Sequence, residues 1–422
     1  MSKVIRWVSY FAILVSPLLM IDVGNDPISM LRETIKVLLI LFVVYVYFAK
    51  KRILCRLPIG RPNFYSLCFF LGWGVYAIIS LLWSPNRSRG MDHIYYLALV
   101  TFFAIWFSMF FNRKAHFITA FWCFQIAFFV QSLLGWYEIL FRHYFYLTDA
   151  SKIPEYSSHR MPVGQMENPN NFALMMLLGI FIGYICYQCR RTKWEGVFSL
   201  IAMINCCVLL LKTDSRAALI GLGMGAAFFV IIVLKPKPKY LVILGCAAVV
   251  IALLIPSIRN NLLSLFVFNF HANNLNSNSI RLNLILNGFY ILGRTVGFGA
   301  GAGGIESWMT SFTPYPLGGI TNMHNWWMEV LTEFGVLIFL AYLLFFIKLF
   351  RDLYKNMQHT TDPIIKAICM GLLCCMVSFI VGSIGPSSLM PFPWLWVFWA
   401  VAIAFQGLLP PVSAKTPSLT IE

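Results

Sequence analysis

The stretch Met323-His324-Asn325-Trp326-Trp327-Met328-Glu329-Val330-Leu331-Thr332-Glu333-Phe334-Gly335 reads as a polar loop running into a membrane helix, with His324 at the entrance. The apolar run 325–348 that it opens can cross a hydrocarbon core of about 30 Å as a helix. Eleven further runs have comparable length and polarity, at 4–22, 33–49, 64–83, 93–111, 116–140, 171–188, 195–212, 216–234, 240–256, 363–383 and 393–410. The pattern predicts an all-α, polytopic membrane protein of about 12 transmembrane helices, forming a single integral-membrane domain over 1–422.

Composition agrees. Hydrophobic residues make up 59% of the chain and charged residues only 11%, against about 25% charged in soluble domains. No small-residue cleavage site follows the first apolar run, so that run is read as the first span and not as a signal peptide. The eleven cysteines fall in apolar runs or on the side expected to be cytoplasmic, where no disulfide framework forms. Cys186-x-x-Cys189 has zinc-like spacing but lacks a second pair or a nearby histidine, and reads as filler at a helix end.

The net charge of +16 is a topology signal. With a cytoplasmic N-terminus, the inner segments hold 20 of the 32 basic residues and four acidic ones, so the whole excess lies inside. This is the positive-inside pattern. It favours both termini in the cytoplasm, contact with anionic membrane lipids, and no nucleic-acid partner. Two long segments then face outward, 141–170 and 257–324. The second contains apolar stretches, Leu262 to Phe268 and Leu282 to Leu292, expected to form short helices at the outer leaflet.

Polar groups cluster on that side. Asn168-Pro169-Asn170-Asn171 is a helix start, because asparagine caps well and proline suits the first turn. A helix N-terminus presents free N–H groups and a positive dipole end to an anion, and Arg160 upstream adds a fork suited to phosphate. As a bland alternative the segment is only a cap. Thr213-Asp214-Ser215-Arg216 repeats the logic. Arg216 in a first helical turn is disfavoured by the dipole by about 0.3 to 1 kcal/mol, so either an anion lies between the two or the arginine snorkels to headgroup phosphates. Arg281 opens an amphipathic segment that runs to Arg294. The glycine-rich run 297–304 lacks the flanking elements of a nucleotide loop and is expected to bend the chain so that Arg281 meets His324. His93, His116, His143 and His359 sit at ordinary span ends, and His159 and His271 lie in outer loops without a strong local motif, which leaves His324 as the candidate general base, kept neutral by the helix N-terminus. Glu329 and Glu333 point about 140° and 180° away from it along an ideal helix.

Taken in order, Arg160, Asn168-Pro169-Asn170-Asn171, Arg216, Arg281, the glycine run and His324-Asn325 resemble the O-antigen ligase and polysaccharide polymerase family of bacterial membrane glycosyltransferases, over roughly residues 156–350. The resemblance implies a GT-C-type helical enzyme in the cytoplasmic membrane that inverts the anomeric centre and uses no metal or other cofactor. In this frame His324 activates an acceptor hydroxyl. Arg160, Arg216 and Arg281 hold the pyrophosphate of an undecaprenyl-linked glycan donor, Asn170 and Asn325 are further substrate-binding residues, and the acceptor is a glycan or the lipid A core. Ligases to lipid A core resemble His-Asn, nine residues, Gly-x-x-Gly-Thr. Here Gly335 is followed by Val336-Leu337-Ile338, without the second Gly or the Thr, which favours a repeat-unit polymerase over an O-antigen ligase. A lipid-linked oligosaccharide flippase is the competing class. It is expected to carry ionisable groups at mid-membrane, whereas the polar groups here gather on the outer side.

Overall fold

Asparagine, aspartate and proline set where most of the helices begin. The computed structural model describes residues 2–18, 61–144, 150–235, 276–311 and 313–410, and the expected spans at 33–49 and 240–256 and the stretch Leu262 to Phe268 lie outside them. The described residues form α1 (Ser2–Val15), α2 (Phe64–Ser80), α3 (Arg87–Phe110), α4 (Lys114–Phe141), α5 (Ile153–His159), α6 (Pro169–Gln188), α7 (Lys193–Lys212), α8 (Arg216–Leu234), α9 (Ser277–Arg294), α10 (Ile305–Ser311), α11 (Trp326–His359), α12 (Pro363–Gly382) and α13 (Pro393–Leu408), with no strand among them. Asn86, Asn168, Asn276, Asn325 and Asp362 each accept a first-turn N–H, and Thr192 and Glu195 form a reciprocal capping box. Each cap is worth about 1 kcal/mol. Proline occupies the first turn of α6, α12 and α13, where its missing N–H costs nothing.

Seven helices, α3, α4, α6, α7, α8, α11 and α12, are long and apolar enough to cross a membrane, and α2 and α13 are shorter apolar helices. Ten of the twelve expected spans therefore coincide with helices, α1 covering only the first part of the run at 4–22. The core is aromatic. Trp73, Trp326, Trp396 and Tyr342 pack ring against ring, and Trp326 Nε1 donates to Tyr342 Oη at 2.9 Å. A buried indole N–H usually finds a partner, and this pairing anchors the start of α11. By contrast α8 leaves most of its surface unburied within the chain, as befits a helix whose apolar face meets lipid.

One expected span is not a continuous helix. Gly335, at φ 80° and ψ 177°, breaks α11 nine residues after it starts. Breaking the ladder orphans the carbonyls of Thr332 and Glu333 and the N–H of Val336, which in lipid costs several kcal/mol per group. The glycine-rich segment supplies the partners: Ala300 N–H donates to Thr332 O at 2.8 Å, Gly301 N–H to Glu333 O at 3.0 Å, and Val336 N–H to Gly297 O at 2.9 Å. The approach requires glycine on both sides. A Cβ on Gly335 would lie 2.4 Å from Gly297 O, and one on Gly299 2.6 Å from Glu333 O. The same segment is bound by Trp83 Nε1 to Gly299 O and by Ser84 Oγ to Ala302 O. The glycine run, with positive φ at Gly297, Gly299, Gly301 and Gly303, thus also serves as a splint for a broken helix.

Candidate active site

His324 ends the loop before α11 with φ +47°, a conformation that non-glycine residues hold only where the surroundings over-determine it. The surroundings are the segment between α12 and α13, Ser383-Ile384-Gly385-Pro386-Ser387-Ser388-Leu389. His324 N–H donates to Ser387 O at 3.1 Å and Trp326 N–H to Ser383 O at 3.0 Å, and the His324 Nδ1 lies 3.3 Å from Gly385 O. A carbonyl only accepts, so Nδ1 carries the proton and Nε2 keeps a free lone pair. Burial first pushes the His324 pKa down, the Gly385 carbonyl partly opposes this, and Arg281 and Lys152 push the same way as burial, leaving it at about 4. Such an imidazole is neutral at physiological pH and able to accept a proton.

Three helix N-termini converge on Gly385. A Cβ there would lie 3.2 Å from Asn170 Oδ1 in the first turn of α6, and 3.2 Å from Ala217 Cβ and 3.4 Å from Ser215 Oγ at the start of α8, while its carbonyl faces His324 before α11. Their dipoles add a positive potential at one spot. Asn171 ties α6 to the segment, its Nδ2 donating to Met166 O and Ser387 Oγ and its Oδ1 accepting from Ser387 N–H. Ser215 takes the N-cap position of α8 but makes no capping hydrogen bond, and its buried Oγ has no partner. The first-turn N–H groups of α8 are consequently not occupied by a side-chain cap.

Of the residues singled out from sequence, the structure draws His324, Arg216, Arg281 and Asn170 into one region. Burial and then Arg216 lower the Arg281 pKa, and Arg281 in turn lowers that of His324. Arg216 is exposed as the first residue of α8. Asn325 spends its side-chain oxygen capping α11 on Trp327 and Met328 N–H. Arg160, exposed at the end of α5 with φ +51°, makes no guanidinium hydrogen bond or ion pair among the described residues.

Residues 198–343 match the O-antigen ligase family. The chain is also 30% identical over 353 residues, 81% of its own length and 72% of the relative's, to the Teichuronic acid biosynthesis protein TuaE of Bacillus subtilis (strain 168). The chain belongs to the O-antigen ligase and polysaccharide polymerase family. It is accordingly a multi-pass membrane protein of polysaccharide biosynthesis with the ligase- or polymerase-type activity of that family.

Several buried polar partnerships around the candidate site escaped the sequence reading. His93 is no ordinary span-end histidine: it is buried in α3, its Nδ1 bonded to Glu333 Oε1, and the same oxygen accepts Gly303 N–H at 2.8 Å. Glu329, also buried, accepts from Ser388 Oγ and, at 3.3 Å, from Leu389 N–H. Glu138 near the end of α4 accepts Val163 and Gly164 N–H, each at 2.8 Å, and so holds the loop leading to α6. Neither Glu329 nor Glu333 bonds to His324, as their helical angles implied. Their signal was visible only as acids inside an apolar run, and the Gly385-Pro386-Ser387-Ser388 turn between two spans carried no local motif.

Proposed function

We propose that the chain transfers a glycan from an undecaprenyl-pyrophosphate-linked donor to a sugar hydroxyl at the outer face of the cytoplasmic membrane, as a repeat-unit polymerase that inverts the anomeric centre without a metal. One observation carries the reading: a neutral histidine with a free Nε2 lies where three helix N-termini and two arginines meet. The uncapped first-turn N–H groups of α8 and the positive dipole end of α6, with Arg216 and Arg281, suit a diphosphate, whose negative charge grows as it leaves. Arg160 and Asn170 are assigned to the same anion, and Asn325 to orienting the sugar beside His324.

In the reaction the acceptor oxygen bonds to the anomeric carbon as the bond from that carbon to the diphosphate oxygen breaks. The hydroxyl proton passes to His324 Nε2, and undecaprenyl pyrophosphate departs. A sugar hydroxyl is a poor nucleophile until its proton is being removed, and general-base help is worth roughly 10² to 10⁴ in rate. The Bacillus subtilis relative is named for teichuronic acid biosynthesis, which supports polymerisation over ligation to lipid A core. The test uses purified protein with the lipid-linked glycan that accumulates in cells lacking it. His324→Ala should slow transfer by that factor while undecaprenyl pyrophosphate binding persists, whereas Arg216→Ala or Arg281→Ala should weaken binding as well. Transfer at the parent rate by His324→Ala, or arrest by EDTA, refutes the mechanism. Movement of the donor across the bilayer without lengthening or release of its glycan would identify a flippase.

A further inference from the structure

Glu329 lies five residues into the helix that His324 opens and faces away from it, yet the two are joined through a third segment. Gly385 O fixes the His324 ring and Ser387 O fixes its backbone N–H. Ser388 Oγ and Leu389 N–H, the next groups along, are fixed by the two oxygens of the Glu329 carboxylate. That carboxylate is 3% exposed, so its desolvation is offset by these bonds and not by water. On the other side of the segment Asn171 clasps Ser387, which leaves Ser387–Leu389 held between α6 and α11.

We propose that Glu329 is a positioning residue for the transfer reaction: its carboxylate sets the height of the Ser387–Leu389 segment and, through Gly385 O, aims the Nε2 of His324 at the acceptor hydroxyl. The inference rests on His324 acting as the base. Among the described residues the His324 ring makes one hydrogen bond, the 3.3 Å contact to the Gly385 carbonyl, so a small shift of the segment turns it. A misplacement of about 1 Å at a reacting group can cost on the order of 100-fold in rate. A carboxamide at position 329 can still accept Leu389 N–H through Oε1 and donate to Ser388 Oγ, so charge is dispensable and geometry is not. An apolar side chain leaves the buried Leu389 N–H unpaired and the part-buried Ser388 Oγ without its acceptor.

The experiment is a double-mutant comparison on the full-length protein, with the accumulated lipid-linked glycan as substrate and undecaprenyl pyrophosphate as the binding probe. Glu329→Leu should lower kcat about 10- to 100-fold with KM and probe binding within about twofold, and Glu329→Gln should restore kcat to within about threefold of the parent. In the His324→Ala background Glu329→Leu should change the residual rate by less than twofold, because a residue that acts only through His324 has nothing left to position. A structural role would lower both backgrounds by the same factor and overturn the proposal, as would parent kcat in Glu329→Leu. If His324→Ala itself transfers at the parent rate, the base assignment falls first and is distinguished from failure of the Glu329 link. Should Glu329→Leu not accumulate, Ser388→Ala removes one bond of the same link and is expected to lower kcat about three- to tenfold in the parent background alone. Equal behaviour in both backgrounds overturns the proposal here too.

Discussion

Acidification probes the environment of the half-buried His324. An ordinary histidine with pKa 6.5 would be about nine-tenths protonated at about pH 5.5 and useless as a base, whereas one at about 4 remains almost wholly neutral there. The difference between the two values corresponds to on the order of 3 kcal/mol of preference for the neutral ring in the folded site. Its causes are burial first and the Arg281 and Lys152 charges after it, against the opposing Gly385 bond. A diphosphate diester titrates only in strong acid, so the donor adds no limb in this window. The acid limb of kcat/KM, which reports the free enzyme, should therefore fall near pH 4. Bound diphosphate brings negative charge towards His324, so the limb of kcat should lie above that of kcat/KM.

The assay is initial-rate glycan transfer in nanodiscs between about pH 4 and 8, with His324→Ala as the control that must lose the limb. Stability has to be followed in parallel. The unfolded chain takes up the proton first, so this histidine lowers folded-state stability as pH drops from about 6.5 towards 4. A kcat/KM limb at about 6.5 on intact protein would mean a solvated ring, or another base, and would refute the site as described.

Arg281→Met removes a cation that depresses the His324 pKa, so the kcat/KM limb should move to higher pH while donor binding weakens. Arg216→Lys keeps charge but loses the fork that matches two phosphate oxygens, and should cost about tenfold or more in kcat/KM; full activity would favour an arginine that only snorkels. Gly335→Ala meets a backbone oxygen at 2.4 Å in a glycine-only conformation and should destabilise by about 2 to 5 kcal/mol, read as a fall in thermal midpoint in detergent. Reporter fusions near residues 155 and 275 should score external and those after 192 and 356 cytoplasmic, and a cytoplasmic score at 275 would put Arg281 on the wrong side.

The sequence made legible what local chemistry writes. Apolar length marked ten helices, Asn168 and Pro169 marked the start of α6, and His324 stood out because a helix entrance leaves few roles for a polar ring. Arg281 and Arg216 were legible as cations in places that a helix or a membrane disfavours. What could not be read were partnerships across long separations. His93 and Glu333 lie 240 residues apart, and each alone looks like a polar residue near a span end. The 383–389 segment was invisible for the same reason, since its work is done by backbone carbonyls that any sequence supplies. Arg160 marks the opposite limit: a legible candidate whose guanidinium no described residue holds, its role left to the donor.

The break at Gly335 explains how a histidine proposed as the base can stand at the head of so long a helix. An unbroken helix of 34 residues would extend about 51 Å and could not be steered at one end without moving the other. Interrupting it after Phe334 leaves a short leading segment, Trp326 to Phe334, whose direction is set locally. The glycine splint fixes its far end, Trp326 fixes its near end on Tyr342 and Ser383, and Glu333 and Glu329 fix it laterally on His93 and on the 388–389 segment. Each of these bonds replaces one that lipid would not supply, so the leading segment is held as firmly as helix backbone. His324 inherits that rigidity, and its left-handed backbone angle turns the ring out of the helix line towards Gly385. Flexibility at the break would have let the ring wander by more than the tolerance of proton transfer. If His324 is the base, the splint serves the proposed transfer as well as the fold.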